Sequence, residues 1–129
     1  MPVRRVIEVP GVEHSAPIPM GVRMGNMLFS SAVMGKDPAT GELPSSPERQ
    51  AELAFANLAT LLERGGASPA NLAHLGVLVR GDDMRKHVND HWLRWFPDPN
   101  DRPARHTTVA DLPGGMLVQL EAIAVLDTP

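Results

Sequence analysis

Two side chains between Asp101 and Leu126, Arg105 and Glu121, are of the types and in the setting that chemistry asks for. This stretch, DRPARHTTVADLPGGMLVQLEAIAVL, reads as two strand-like runs joined by a Pro113-Gly114-Gly115 turn. Arg105 opens the first run. Glu121 lies within the second, between Leu120 and the apolar Ala122, Ile123 and Ala124. A carboxylate in such surroundings is expected to be buried, and a buried charge needs a partner or a purpose because its desolvation is costly. Two readings stand. The pair is a salt bridge between neighbouring strands, or Arg105 forks onto a substrate carboxylate while Glu121 positions or deprotonates a water.

Other candidates are weaker. His87 and His91 are four apart on a helical segment, a spacing that can clamp zinc. The residues between them, Val88-Asn89-Asp90, lack the Glu that follows the first His of a metalloprotease motif, so solvated histidines are expected and no metal site is assigned. Ser30-Ser31 ends a strand with no G-x-S-x-G elbow around it and reads as hydroxyls on a half-buried strand. No cysteine is present, which excludes disulfides, thiolate nucleophiles and cysteine-based metal sites. No glycine-rich phosphate loop occurs.

The elements that must position Arg105 and Glu121 follow from periodicity. Val3–Val9 reads as an edge strand stopped by Pro10-Gly11, and the proline-bearing segment from His14 to Gly21 as a loop. Val22–Met34 contains a Gly25-Asn26 hairpin signal between apolar runs. In the helix opened by Ser45-Ser46-Pro47-Glu48, Ser45 and Glu48 have capping-box spacing. Ala51, Ala54, Phe55, Leu58, Leu61 and Leu62 share one face, and Gly65-Gly66 ends the helix. A short turn at Ser68-Pro69, a strand over Leu72–Arg80, and a second helix with Met84, Val88, Trp92, Trp95 and Phe96 on one face come next. The last two strands follow Pro97-Asp-Pro99. The order β-β-β-α-β-α-β-β implies an α+β domain over 1–129, a six-stranded mixed sheet with both helices on one face. Both faces of the last strand are apolar, so the uncovered side predicts an oligomer interface.

At 129 residues, 43% hydrophobic and 21% charged, the composition is that of one soluble domain. A net charge of −3 and only five aromatic residues give no electrostatic footprint for nucleic acid or an anionic membrane. No apolar run is long enough for a signal peptide core or a membrane span, so a cytoplasmic protein is expected.

From Ala16 onward the chain resembles the Rid/YjgF family of reactive-intermediate deaminases, older members of which were described as translation inhibitors or endoribonucleases. Gly21-Val-Arg-Met-Gly-Asn-Met-Leu-Phe-Ser-Ser31 is similar to the family's G-x-R-x-G-N hairpin. Asp37-Pro-Ala-Thr-Gly-Glu-Leu43 is similar to its D-P-x-T-G loop. Arg102-Pro-Ala-Arg105, Leu112-Pro113 and Val118-Gln-Leu-Glu-Ala-Ile-Ala124 are similar to its C-terminal signature. The resemblance implies a chorismate-mutase-like fold and a homotrimer with ligand sites in the clefts between subunits. It also implies cofactor-free hydrolysis of an enamine or imine carboxylate to a 2-keto acid and ammonia. Arg105 then holds the substrate carboxylate, Glu121 orients the water, and Asn89 lies near the cleft. The chain departs from the best-characterised branch at Ile18 and Pro19, which replace a tyrosine and a serine, and at Thr107, which replaces a cysteine. Ile18 and Thr107 are therefore expected to shape substrate choice toward a bulkier enamine. A non-catalytic trimer that binds small carboxylates is the alternative, and endoribonuclease activity is disfavoured by the acidic charge.

Overall fold

The computed structural model describes residues 3–128. Seven strands form one sheet: β1 (Arg5–Ile7), β2 (Gly21–Met24), β3 (Met27–Ser30), β4 (Val33–Met34), β5 (Leu72–Val79), β6 (Ala104–Val109) and β7 (Val118–Val125). The spatial order is β1-β2-β3-β7-β5-β6, and the two-residue β4 pairs with β7 beyond the end of β3. That short strand is the one element added to the six expected. All pairs are antiparallel except β5 with β6, which the second helix joins by a crossover.

The hairpin β2–β3 turns on Gly25, whose φ of 60° suits the first central position of a two-residue turn. Helix α1 (Pro47–Arg64) starts one residue later than the capping-box spacing suggested: Ser46, not Ser45, accepts the Arg49 N–H on its side chain. Pro47 explains the shift, since proline is pre-set for the first helical position and the cap is the residue before it. The helix ends where Ala67 N–H reaches back to Leu62 C=O with Gly66 at φ 83°. Helix α2 (Arg85–Trp95) follows a single 3-10 turn at Asp82–Met84.

Both helices lie on one face of the sheet. Ala51, Ala54, Phe55, Leu58, Leu61 and Leu62 of α1, with Met84, Val88, Trp92 and Phe96 around α2, form a single core with Leu28, Leu75, Val77, Val79, Val118, Leu120, Ala122 and Ala124. Each fully buried Leu, Val, Phe or Met among them stabilises the fold by roughly 1.5–3 kcal/mol before entropy is counted. Two buried polar side chains on α1 were not legible as such in the sequence. Gln50 donates to the carbonyls of Pro44 and Gly115 and accepts from Leu117 N–H, while Asn57 donates to the carbonyls of Met34 and Lys36. These bonds replace ladder bonds that loops cannot make, and they tie the loops beside β4 and β7 to the helix.

Among the described residues no helix covers the other face. Register places Val6, Val22, Phe29 and Ile123 in one row across β1, β2, β3 and β7, an apolar stripe on that open side. No helix of the described residues is long and apolar enough to cross a membrane.

Candidate functional site

Arg105 and Glu121 do not meet within one chain. The expected hairpin between the last two strands does not form, because β5 is inserted between β6 and β7. Leu75 pairs with both Arg105 and Ala122, and Gly76 with both His106 and Glu121. Paired residues share a face and successive ones alternate. Arg105 therefore points to the helix side with buried Leu75, and Glu121 to the open side. The salt-bridge reading is thereby excluded for a single chain. So is the burial expected of Glu121: it is exposed, because its apolar neighbours Leu120 and Ala122 face the core on the opposite side.

On the helix side the sheet ends at β6, and α2 lies against it. The Arg105 guanidinium sits over the Trp92 ring, 5.1 Å from its centroid. Its Nε–H donates to Thr107 Oγ1 at 2.9 Å, and Nη1 donates to Asn89 Oδ1 at 2.8 Å. Thr107 is two residues on along the same strand face, and Asn89 and Trp92 are three apart on α2, so one helix turn and one strand dipeptide aim at the same group. The structure thus brings together three of the residues named from the sequence, Arg105, Asn89 and Thr107. It adds Trp92, which the helical spacing alone places in the core. The signal for it was present: a tryptophan three residues after Asn89 projects from the same helix face.

These contacts use two of the five N–H donors of the guanidinium, and among the described residues the other three, in the same fixed plane, have no acceptor. Among the described residues, Arg105 forms no ion pair. Burial, and secondarily the positive charge of Arg85, lower its pKa from the ordinary guanidinium value. Arginine nevertheless stays protonated, so the result is a half-dry cation short of a counter-ion. Such a group favours a carboxylate, which can take two parallel N–H bonds at once.

The Glu121 side is built differently. Phe29 pairs with Ile123 and Val33 with Leu120, so four steps from β3 to β4 match three along β7. The extra residue is a bulge at Ser31–Ala32, directly opposite Glu121. Ser30 Oγ takes the Ala122 N–H at 2.8 Å where the ladder breaks, and Ser31 N–H turns to Met20 C=O at 2.8 Å. The serines read from the sequence as hydroxyls on a half-buried strand therefore close a broken ladder beside Glu121. On its other flank Glu121 faces Gly76, which has no side chain. A groove of about 140 Å³ opens there, with His74, His106, Thr108 and Gln119 around Gly76 and Glu121.

Ile18 is exposed, at 47% of its full area, on the loop before β2. Its N–H closes a tight turn onto Ala16 C=O at 2.8 Å, across Pro17. β2 stands four strand positions from β6, roughly 19 Å at the usual spacing, so the base of this loop is remote from Arg105 of the same chain. His87 and His91 lie apart from both sites. They line a cleft of about 340 Å³ between α1 and α2 in which Arg49 and Glu52 already pair. His91 is not the freely solvated residue expected, since its ring stacks on Phe55 at 5.3 Å. Among the described residues no three His, Asp or Glu side chains are placed to hold a metal ion.

A family model described as endoribonuclease L-PSP matches residues 12–126. The 2-iminobutanoate/2-iminopropanoate deaminase of Dermatophagoides farinae is 31% identical, over 98% of this chain and 100% of its own length. The Escherichia coli K12 protein of the same name is 32% identical over 84% of this chain and 87% of its own. Among solved structures, RidA from Psychrobacter superposes with a TM-score of 0.86 at 26% identity, covering 95% of this chain and 100% of that one. Escherichia coli TdcF with bound serine gives 0.84 at 26% identity, with coverage of 94% and 98%. On a match that runs from Val12 to Leu126, and on relatives of this identity over most of its length, the chain belongs to the Rid/YjgF family, the endoribonuclease L-PSP family of that model.

Proposed function

We propose that this chain, as one domain in a homotrimer, hydrolyses a 2-imino acid or its enamine to the 2-keto acid and ammonia. The reaction takes place in a cleft where Arg105 of one copy meets Glu121 of another. The observation that carries this reading is Arg105: a half-buried cation held in plane by Asn89, Thr107 and Trp92, with no ion-pair partner and three unused donors among the described residues. The relatives support the substrate class. Two are named for 2-iminobutanoate and 2-iminopropanoate, both small carboxylates, and TdcF was crystallised with serine.

The chemistry divides between the two sides. Arg105 takes the carboxylate through two of its free N–H groups, and Thr107, whose oxygen already accepts from Arg105, can donate its hydroxyl hydrogen to the same anion. That fixes the imine carbon relative to the protein. Glu121, standing free in the groove between the bulge and Gly76, receives a proton from the attacking water. Because the two residues of one chain face opposite sides of its sheet, they serve one substrate only if a second copy brings its open face to the first copy's β6 edge. The apolar row Val6–Val22–Phe29–Ile123 gives that face a reason to be covered.

Complementation tests the arrangement. Arg105→Ala and Glu121→Gln chains, each inactive alone, are co-refolded at equal amounts and assayed for ammonia release from a freshly generated 2-imino acid. About a quarter of wild-type activity is expected, because one interface in four then carries both intact residues. No recovery, with mixed trimers present by sedimentation equilibrium, would mean that the residues do not share a site.

A further inference from the structure

The family reading leaves two acid–base groups of the open face unused, His74 and His106, of which His106 shares a register row with Glu121 and His74 pairs with Ile123 instead. Hydrolysis of an imine needs two proton movements, one from water as it attacks and one onto nitrogen as it leaves, and a single carboxylate performs both only by shuttling. His106 follows Arg105 in sequence and so points to the opposite side of β6, the open side. Register sets it in one row with Gly76 and Glu121: His106 pairs with Gly76, and Gly76 with Glu121. The two outer residues are two strand spacings apart, roughly 10 Å at the backbone. No side chain of Gly76 stands between them; the His74 ring borders the notch this leaves, its Cε1 3.9 Å from where a Gly76 Cβ would lie. His106 and Glu121 both line the same groove of about 140 Å³.

We infer that His106 is the second proton-transfer group of the proposed reaction, paired with Glu121 across Gly76. The inference rests on the imine hydrolase reading and deepens it. In the first step a water oxygen bonds to the imine carbon while its proton passes to the Glu121 carboxylate. The C=N π bond opens and the nitrogen takes a proton from the His106 imidazolium. In the second, the protonated Glu121 gives its proton to the amino nitrogen of the carbinolamine, the C–N bond breaks, and ammonia leaves. The hydroxyl proton returns to His106 as the C=O forms. Both groups end as they began, and one water is consumed. The titratable groups facing the notch are His106 from β6, His74 from β5 and Glu121 from β7, with Thr108 and Gln119 as neutral polar neighbours.

Two variants test the pairing without threatening the fold. His106 is exposed in the chain, so His106→Gln keeps a hydrogen-bonding side chain but cannot carry a proton. Gly76→Ala fills the notch. The added methyl would lie 3.6 Å from Glu121 O, 3.8 Å from Glu121 Cβ and 3.9 Å from His74 Cε1, ordinary contacts that require no backbone change. Ammonia release from 2-iminobutanoate generated in situ is followed against pH. For His106→Gln we expect kcat to fall about 100-fold with KM little changed, and the alkaline decline of the wild-type kcat profile to disappear. Gly76→Ala should lose kcat with wild-type thermal stability. If the wild type turns over the imine and His106→Gln keeps its kcat and its alkaline limb, the inference about His106 is wrong while the parent reading stands. A wild type that releases no ammonia from any 2-imino acid overturns both.

Discussion

Arg105 and Glu121 are set one residue out of register on strands flanking β5, and that single step turns one toward the helices and the other toward the open side. A shift by one would have put both on one face, close enough for a pairing that would quench the cation. As built, neither charge has an ion-pair partner among the described residues. Each is held ready on its own surface.

The arginine side can be tested by its geometry. Arg105→Lys keeps the charge but loses the planar fork, the Thr107 and Asn89 bonds and part of the Trp92 stack. Affinity for a carboxylate ligand should fall ~100-fold, about 3 kcal/mol, with oligomeric state unchanged. Calorimetry with a non-reacting 2-keto acid measures it, and wild-type affinity in this variant would remove Arg105 from the site.

The bulge makes a stability prediction. Ser30 is buried, and its hydroxyl takes the Ala122 N–H where β3 gives way to β4. Ser30→Ala leaves that buried donor unsatisfied and should cost about 1–3 kcal/mol. Denaturant midpoints of the two proteins read this directly. Little change would show that another acceptor closes the gap.

His91 predicts a pH dependence of stability. Burial lowers its pKa from 6.5, and Arg94 adds to the shift, against the opposing pull of Glu52, Asp90 and Glu48. The unfolded chain therefore binds the proton first as pH falls, so unfolding gains in acid. The stabilisation is complete above about 6.5, the ordinary histidine value, and is lost as pH drops through the lower, folded-state value. His91→Phe, which keeps the stack on Phe55, should show a shallower loss of Tm between neutral and mildly acid pH than the wild type. Parallel slopes would place the acid sensitivity elsewhere.

Substrate preference should follow Ile18. This apolar side chain is held out in solvent on a loop stiffened by Pro17 and Pro19, where the proposed assembly would let it wall the cleft. Imines with larger side chains, such as those from leucine or methionine, should be favoured over 2-aminoacrylate by a modest factor, since one methylene in an apolar pocket is worth about 1–3 kcal/mol. Ile18→Tyr should move the ratio of kcat/KM back toward the small substrate. An unchanged ranking would acquit the loop.

Much of the scaffold could be read from the residue pattern. The apolar face of α1, the Gly25-Asn26 hairpin, the glycine stop at Gly65-Gly66 and the alternation in β5 all follow from local periodicity and turn chemistry, which act over a few residues. What stayed hidden was pairing. Alternation shows that Glu121 and Leu120 face apart, but not which strand lies beside them. Only the fold reveals that β5 separates β6 from β7, or that Ser31–Ala32 bulges against Glu121. Within the site, motif resemblance singled out Arg105, Asn89 and Thr107. Trp92 was absorbed into the helix's core stripe, because a ring that both packs and stacks on a cation looks the same in sequence as one that only packs.

The position of β7 bears on how the protein is made. Among the described residues it is the last of seven strands, yet it pairs with β3, β4 and β5 at the middle of the sheet. While a ribosome is still adding Val118–Val125, the hairpin side and the β5–β6 side have no strand to join them. Leu28 and Leu75 remain without their β7 partners, Ala124 and Ala122. Until Val118–Val125 has been added, β3 and β5 lack the strand that lies between them, so the centre of the sheet closes only once that segment is available. A chain cut short before Val118 should have its two sides held mainly by the packing of α1 on α2, where Phe55 meets His91 and Trp95.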